Sequence, residues 1–314
     1  MEDNLTIFAR RLRFQCFNRF DGILKGPSRA SEDMFFPPNI TLQSKGKLFL
    51  VDRPWIMGIL NMTPDSFFGG SRIAGTREAV LQRAERLVRE GADILDIGGY
   101  SSRPGAGHVS LDEEIGRTVF SVREIKKAYP NILVSIDTFR AELANLAVEA
   151  GADIVNDISA GELDSDMIPT VGKLDVPYVA MHMRSNPKSM QQDTAYENPV
   201  TEIARYFSIK IESCRKFGIK DVIIDPGFGF SKTLDQNYEI LKNLAYFKTI
   251  ECLLLVGLSR KSMIYKKLDI QPEDALNGTT ALHMFSLLQG ANILRVHDVK
   301  AAKETIELYK QLYP

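Results

Sequence analysis

Apolar runs that end in charged or amide residues are the feature of this chain most suggestive of chemistry. Val222–Ile224 runs into Asp225, Ile94-Leu95 reaches Asp96, Leu133–Ile136 stops at Asp137, and Ile154-Val155 stops at Asn156. Ile56–Leu60 meets Asn61 and Tyr178–Met181 meets His182. Leu253–Leu258 is followed by Ser259-Arg260-Lys261, and Ile293–Val296 carries Arg295 and leads to His297. An apolar core has no place for an unpaired charge, so these groups either cap helices or line a shared pocket. For Asp137, followed by "TFRAEL", capping is an open alternative. It does not serve for all eight, because helices do not begin at most of these positions. Asp96, Asp137 and Asp225 as acceptors, with Asn156 able also to donate, suit a flat heterocycle bearing amino and ring N–H groups. Lys261, Arg295, His297 and Arg103 offer positive charge suited to phosphate or carboxylate. The set describes an amino-heterocycle at depth and an anion at the mouth.

Bringing these residues together is a task for the elements between them. The eight apolar runs alternate with amphipathic stretches at 76–90, 112–128, 140–150, 199–217, 273–289 and 298–312. Gly91, Gly151 and Gly290 read as the left-handed residues that stop three of these helices. Strands apolar on both faces and separated by helices imply a parallel sheet covered by helices. Eight such units match an α/β fold of the (β/α)8 TIM-barrel type, in which every C-terminal strand end opens into one mouth. The competing open, doubly wound sheet usually carries GxGxxG after its first strand, and none is present. Ahead of the barrel, "ITLQSKGKLFLVD" reads as a hairpin turning at Lys45-Gly46. Residues 1–38, with Arg10, Arg11, Arg13, Arg19, Lys25 and Arg29 in no clear period, read as a loosely ordered extension, or as residues upstream of a start near Met34. Residues 39–314 read as the barrel domain.

Bulk properties exclude several classes. A formal charge of −1, with 44% apolar and 25% charged residues, gives no reason to expect nucleic acid or an acidic membrane as partner. The longest apolar run, Cys252–Leu258, is far short of a membrane span. No cleavable signal is visible, since the first residues carry acids and lack an apolar core. Cys16, Cys214 and Cys252 fit neither a disulfide framework nor a CxxC metal site, which points to a reducing cytoplasm. No HExxH or H-x3-H spacing supports zinc. His182 reads as structural or pocket-lining, His108 and His283 as a loop and a helix residue, and Trp55 as packing beneath the first barrel strand.

Several longer strings carry a family resemblance. "MGILNMTPDSFF" (57–68), "DIGGYSSRPGA" (96–106), "SIDT" (135–138), "NDIS" (156–159), "MHMRSNPKSMQ" (181–191), "DPGFGFSK" (225–232), "GLSRKSMI" (257–264) and "RVHDV" (295–299) resemble dihydropteroate synthases, from about residue 40 to the C-terminus. The resemblance implies a transferase of folate biosynthesis that joins 6-hydroxymethyl-7,8-dihydropterin diphosphate to 4-aminobenzoate and releases diphosphate. It implies that Asp96, Asp137, Asn156, Asp225, Gly257 and Lys261 hold the pterin, with Met181 and Phe230 as apolar walls. Asn61, Arg103, Arg295 and His297 would bind diphosphate, with Asn61 also a ligand of Mg2+. Phe67, Ser102, Arg103, Pro104, Phe230, Lys261 and Ser262 would build the 4-aminobenzoate site. Lys261, Asp225, Arg295 and His297 would carry catalysis. Segments 62–75 and 98–110 would close over the mouth. A homodimer and competitive inhibition by sulfonamides are further implications.

The chain departs from the family text in its loops. Tyr100 and Ser102 stand where Glu and Thr are commoner, and Phe68-Gly69 replaces the usual "SD", which removes a loop carboxylate that could serve the metal. Two other functions compete. A methyltransferase acting on methyltetrahydrofolate uses a related barrel but has no need of "SRPG", "SRKS" and "RVH". A non-catalytic pterin-binding paralogue would not need Lys261, Arg295 and His297 intact.

Overall fold

The computed structural model describes residues 40–62, 76–100, 109–184 and 193–313. β1 (Ile40–Ser44) and β2 (Lys47–Val51) form an antiparallel hairpin with Ser44 opposite Lys47. Its turn residues Lys45 and Gly46 both have positive φ, 49° and 76°, the conformation that matches strand twist in a two-residue loop. Eight further strands follow: β3 (Trp55–Asn61), β4 (Ile94–Gly98), β5 (Leu133–Asp137), β6 (Ile154–Asp157), β7 (Tyr178–Met181), β8 (Val222–Asp225), β9 (Leu253–Val256) and β10 (Ile293–Val296). They form a closed barrel, each strand parallel to the next, with β10 returning to β3. Closure removes both sheet edges and excludes the open, doubly wound alternative.

Among the described residues the helices are α1 (Arg77–Glu90), α2 (Leu111–Ala128), α3 (Ala141–Glu149), α4 (Met167–Leu174), α5 (Pro199–Lys216), α6 (Leu234–Lys242), α7 (Ser262–Leu268), α8 (Leu276–Leu288) and α9 (Val299–Leu312). Gly91, Gly151 and Gly290 follow α1, α3 and α8 with φ of 104°, 123° and 97°, as their sequence positions predict. α4 and α6 are absent from the sequence reading. They are short, and α4 contains Pro169 and Gly172, both poor helix residues in isolation. Pro169 sits in the first turn, where no intrahelical N–H bond is lost. Gly172 is there for space: a Cβ on it would stand 2.0 Å from the Phe217 carbonyl oxygen at the end of α5.

Strand alternation sorts the barrel interior into layers. The lower layer is apolar, with Met57, Ile94, Leu133, Ile154, Val179, Ile223, Leu255 and Ile293 packed on Trp55 and on Leu42 and Val51 of the hairpin. Trp55 therefore packs beneath the barrel as expected. The hairpin is fastened to the same end: Lys45 N–H donates to Asp175 O (2.7 Å), Ser44 Oγ to Asp153 O (2.8 Å), and Gln43 N–H to Asp221 Oδ2 (2.7 Å). Two residues further along their strands, with the same parity, come Asp96, Asn156, Met181, Asp225, Gly257 and Arg295. Period-2 alternation thus places the polar residues on the inside of the opposite end. A second, larger core fills the space between the outer barrel face and the helices.

Candidate active site

Arg295 joins the deepest acids of the mouth. Its Nε donates to Asp96 Oδ2 at 2.6 Å and its Nη2 to Asp137 Oδ2 at 2.5 Å, across 199 and 158 residues of sequence. Asp96 is fully buried and also accepts from Asn156 Nδ2 at 3.1 and 3.3 Å. The guanidinium therefore lies one layer below the rim position that its sequence context suggested, committed to two of the predicted pterin-binding acids. Asp137 caps no helix: the residue before α3 is Arg140, and the Ala141 N–H is held by Asp164 Oδ2 at 2.7 Å. Two carboxylates against one guanidinium leave excess negative charge. Burial pushes Asp137 up to about 7, against the pull of Arg295 and with the help of the Asp96 charge.

Opposite stand Asp225 and Lys261. Asp225, at the end of β8 and 5% exposed, accepts the Gly227 N–H at 2.8 Å. Burial raises its pKa, and the Lys261 charge opposes that rise. Lys261 immediately precedes α7, donates to Phe228 O at 2.6 Å, and sets Nζ 4.8 Å from the Phe230 ring centroid. Burial brings Lys261 down to about 8, with Asp225 holding it from falling further. Gly257 lies between Asp225 and Arg295: a Cβ there would be 3.7 Å from Asp225 Oδ2 and 3.8 Å from Arg295 Cβ. Met181 and Phe230 join Ile158, Met183, Phe139 and Leu163 in one apolar cluster.

At the rim, Asn61, Gly98 and Asp137 follow one another across β3, β4 and β5 in register. A Cβ on Gly98 would stand 3.5 Å from both Asn61 Oδ1 and Asp137 Oδ2, so an amide and a carboxylate oxygen flank one bare stretch. Asp137 Oδ2 is held by Arg295, while an amide oxygen such as Asn61 Oδ1 is of the kind that suits a hard divalent ion keeping most of its waters. His297 is fixed by a residue that sequence reasoning left unassigned. Ser259 Oγ accepts the His297 backbone N–H (3.3 Å) and lies 3.2 Å from its Nδ1, which sets the orientation of the ring. Ser262 begins α7, next to Lys261.

One strand end does not join the mouth. His182 has the opposite parity to Met181 and turns outward, buried against Tyr206 with ring centroids 4.8 Å apart at 90°. It is a structural histidine, and the convergence of all eight strand ends is corrected to seven. Arg260 likewise turns away and forks onto Asp298 at 2.7 and 3.0 Å. Tyr100, a departure from the family text, stacks edge-on to Phe139 (5.3 Å) with the Arg140 guanidinium 5.7 Å from its ring centroid. Phe67, Ser102, Arg103 and Pro104 lie outside the described residues, as do most of the two segments expected to close the mouth.

A closed parallel barrel with acids, a lysine and an arginine gathered at its C-terminal mouth defines a barrel enzyme. Known proteins narrow the class. Residues 57–297 match the family described as pterin binding enzyme. The dihydropteroate synthase of a Synechocystis species is 40% identical over 286 residues, covering 89% of this chain and 96% of that protein. The Yersinia pestis dihydropteroate synthase in complex with a sulfonamide drug superposes with a TM-score of 0.81 at 37% identity, over 87% of this chain and 99% of that one. The Xanthomonas albilineans dihydropteroate synthase with 4-aminobenzoic acid gives 0.81 at 35% identity, over 87% and 98%. The chain belongs to the dihydropteroate synthase family of pterin-binding enzymes.

Proposed function

We propose that this chain condenses 6-hydroxymethyl-7,8-dihydropterin diphosphate with 4-aminobenzoate, releasing diphosphate. The observation that carries the reading is the pair of opposed clusters in one barrel mouth, Asp96–Arg295–Asp137 on one side and Asp225–Lys261 on the other. Asp225, whose charged form Lys261 and the Gly227 N–H favour against burial, accepts the paired N–H donors of the pterin's amino edge. Asn156 and Asp96 complete that edge, Lys261 bonds the pterin carbonyl or ring nitrogen, and Met181 and Phe230 cover the ring faces. Arg295, oriented by two carboxylates, presents its remaining donors with His297 to the diphosphate. Asn61 would hold Mg2+, which when bound supplies Lewis-acid stabilisation of the leaving diphosphate.

C–O cleavage running ahead of attack suits these residues. Positive charge then spreads over the dihydropterin, and the Asp225 carboxylate stands ready to stabilise it without reorganising. The 4-aminobenzoate amine, a modest nucleophile, then meets a strong electrophile, with its carboxylate received beside Ser262. Sulfonamides are expected to compete with 4-aminobenzoate. The test is diphosphate release measured with and without 4-aminobenzoate and Mg2+, using substrate deuterated at the transferred CH2. Release that requires both, with a normal secondary isotope effect, supports the reading. Turnover of methyltetrahydrofolate instead, or no turnover, ends it, and an isotope effect of unity ends the dissociative course.

The Lys261 pKa gives an independent expectation. The amine loses its proton as pH rises through about 8, so kcat/KM for the dihydropterin substrate should fall above that pH. In Lys261→Arg, whose guanidinium stays charged, the remaining activity should be flat across the same range. A parallel alkaline decline in both enzymes would assign the titration elsewhere.

A further inference from the structure

We propose that Lys232 is a positioning residue for the pterin subsite, holding Asp225 and Lys261 in place through the backbone of the 225–230 turn. The proposal rests on the reaction assigned above. Lys232 is only 3% exposed and lies outside the groups assigned to the pterin, diphosphate or 4-aminobenzoate. Its Nζ lies within hydrogen-bond distance of four groups: Phe230 O at 2.8 Å, Gly227 O at 2.9 Å, His182 Nδ1 at 3.1 Å and His182 O at 3.3 Å. This gives the structural histidine a purpose: it anchors the lysine to the exit of β7.

What makes the contact more than a buried tether is where the other groups of the turn point. The Gly227 N–H goes to Asp225, the Phe228 carbonyl to Lys261, and the Gly229 N–H to Asn237 Oδ1 at 2.7 Å. The carbonyls of Gly227 and Phe230 go to Lys232. Rotating the peptide that carries the Gly227 carbonyl swings the Gly227 N–H and the Phe228 carbonyl on either side of it, both of which touch the site. Space is equally committed, since a Cβ on Gly227 would meet His182 O at 2.1 Å. A methionine fills much of the same volume but takes the lysine's donor from the Phe230 and His182 carbonyls and leaves Gly227 O with the Phe230 N–H alone (3.1 Å), so the turn must move to rehydrate them.

The experiment compares Lys232→Met, Lys232→Gln and a control, Arg53→Ala, which breaks the Arg53–Asp93 pair at the other end of the barrel (2.5 Å). Steady-state kinetics with both substrates is run alongside fluorescence titration with 6-hydroxymethylpterin, at a temperature where each variant is folded by circular dichroism. Lys232→Met should raise the dihydropterin diphosphate KM and the pterin Kd about tenfold, with the 4-aminobenzoate KM within about twofold. Lys232→Gln, which keeps N–H donors at shorter reach, should fall between, at about threefold, and carries the test if the methionine variant does not fold. Arg53→Ala should lose stability with neither KM altered. Unchanged pterin affinity in Lys232→Met, or equal changes for both substrates matching those of Arg53→Ala, overturns the proposal. If the wild type turns nothing over, the assigned reaction fails, and the pterin titration alone still decides the role of Lys232.

Discussion

Asp225→Asn is expected to lower kcat/KM for the dihydropterin substrate by about 10^3-fold or more while leaving the melting temperature unchanged or higher. The two effects separate because the carboxylate is costly to the fold and necessary to the site. Burial raises its pKa, so ionised Asp225 is a net expense in the folded state, and an isosteric amide removes it. The same change puts an NH2 where the pterin's amino edge also offers donors. A site built to accept hydrogen bonds rejects a donor by about 4–5 kcal/mol or more, roughly the 10^3-fold stated. Kinetics and calorimetry on one preparation check both halves. A small activity loss, or a large one matched by unfolding, would remove Asp225 from the ligand set.

Arg295→Met should abolish turnover and also cost about 3–5 kcal/mol of stability at neutral pH, since it strands the buried Asp96 and the partly buried Asp137 carboxylates. The pH dependence should carry the signature. Without the guanidinium, Asp137 rises further above its already raised value of about 7. A carboxyl whose folded pKa exceeds its unfolded one binds more protons in the native state. Stability is then restored as pH falls through the folded pKa, towards the unfolded value near 4, and lost again as pH rises. Urea denaturation between pH 5 and 8 measures this directly. Adding Asp137→Asn to Arg295→Met should recover part of the stability and none of the activity. A pH-independent loss would mean that Arg295 stabilises by packing alone.

The barrel was legible because its strands are continuous apolar runs and three helices end at glycines that must adopt left-handed backbone. The site was legible for a related reason: Asp96, Asn156, Asp225 and Arg295 interrupt those runs where nothing but a pocket tolerates them. Two kinds of information were hidden. Parity is one: Met181 and His182 are adjacent in sequence, and only the register of β7 with β8, Met181 opposite Asp225, shows that the methionine faces in. Pairing is the other: no local pattern announces that Arg295 seeks acids 158 and 199 residues earlier, or that Ser259 fixes His297. α4 escaped because its Gly172 serves a close approach to α5 rather than a helix end.

The seam between β10 and β3 has a consequence for how the molecule comes into being. As the nascent chain leaves the ribosome, Asp96 and Asp137 emerge long before the guanidinium that neutralises them, and β3 waits for the last strand to arrive. Sealing of the cylinder and assembly of the charged triad both depend on residues 293–296, so a chain stopped before residue 293 has neither.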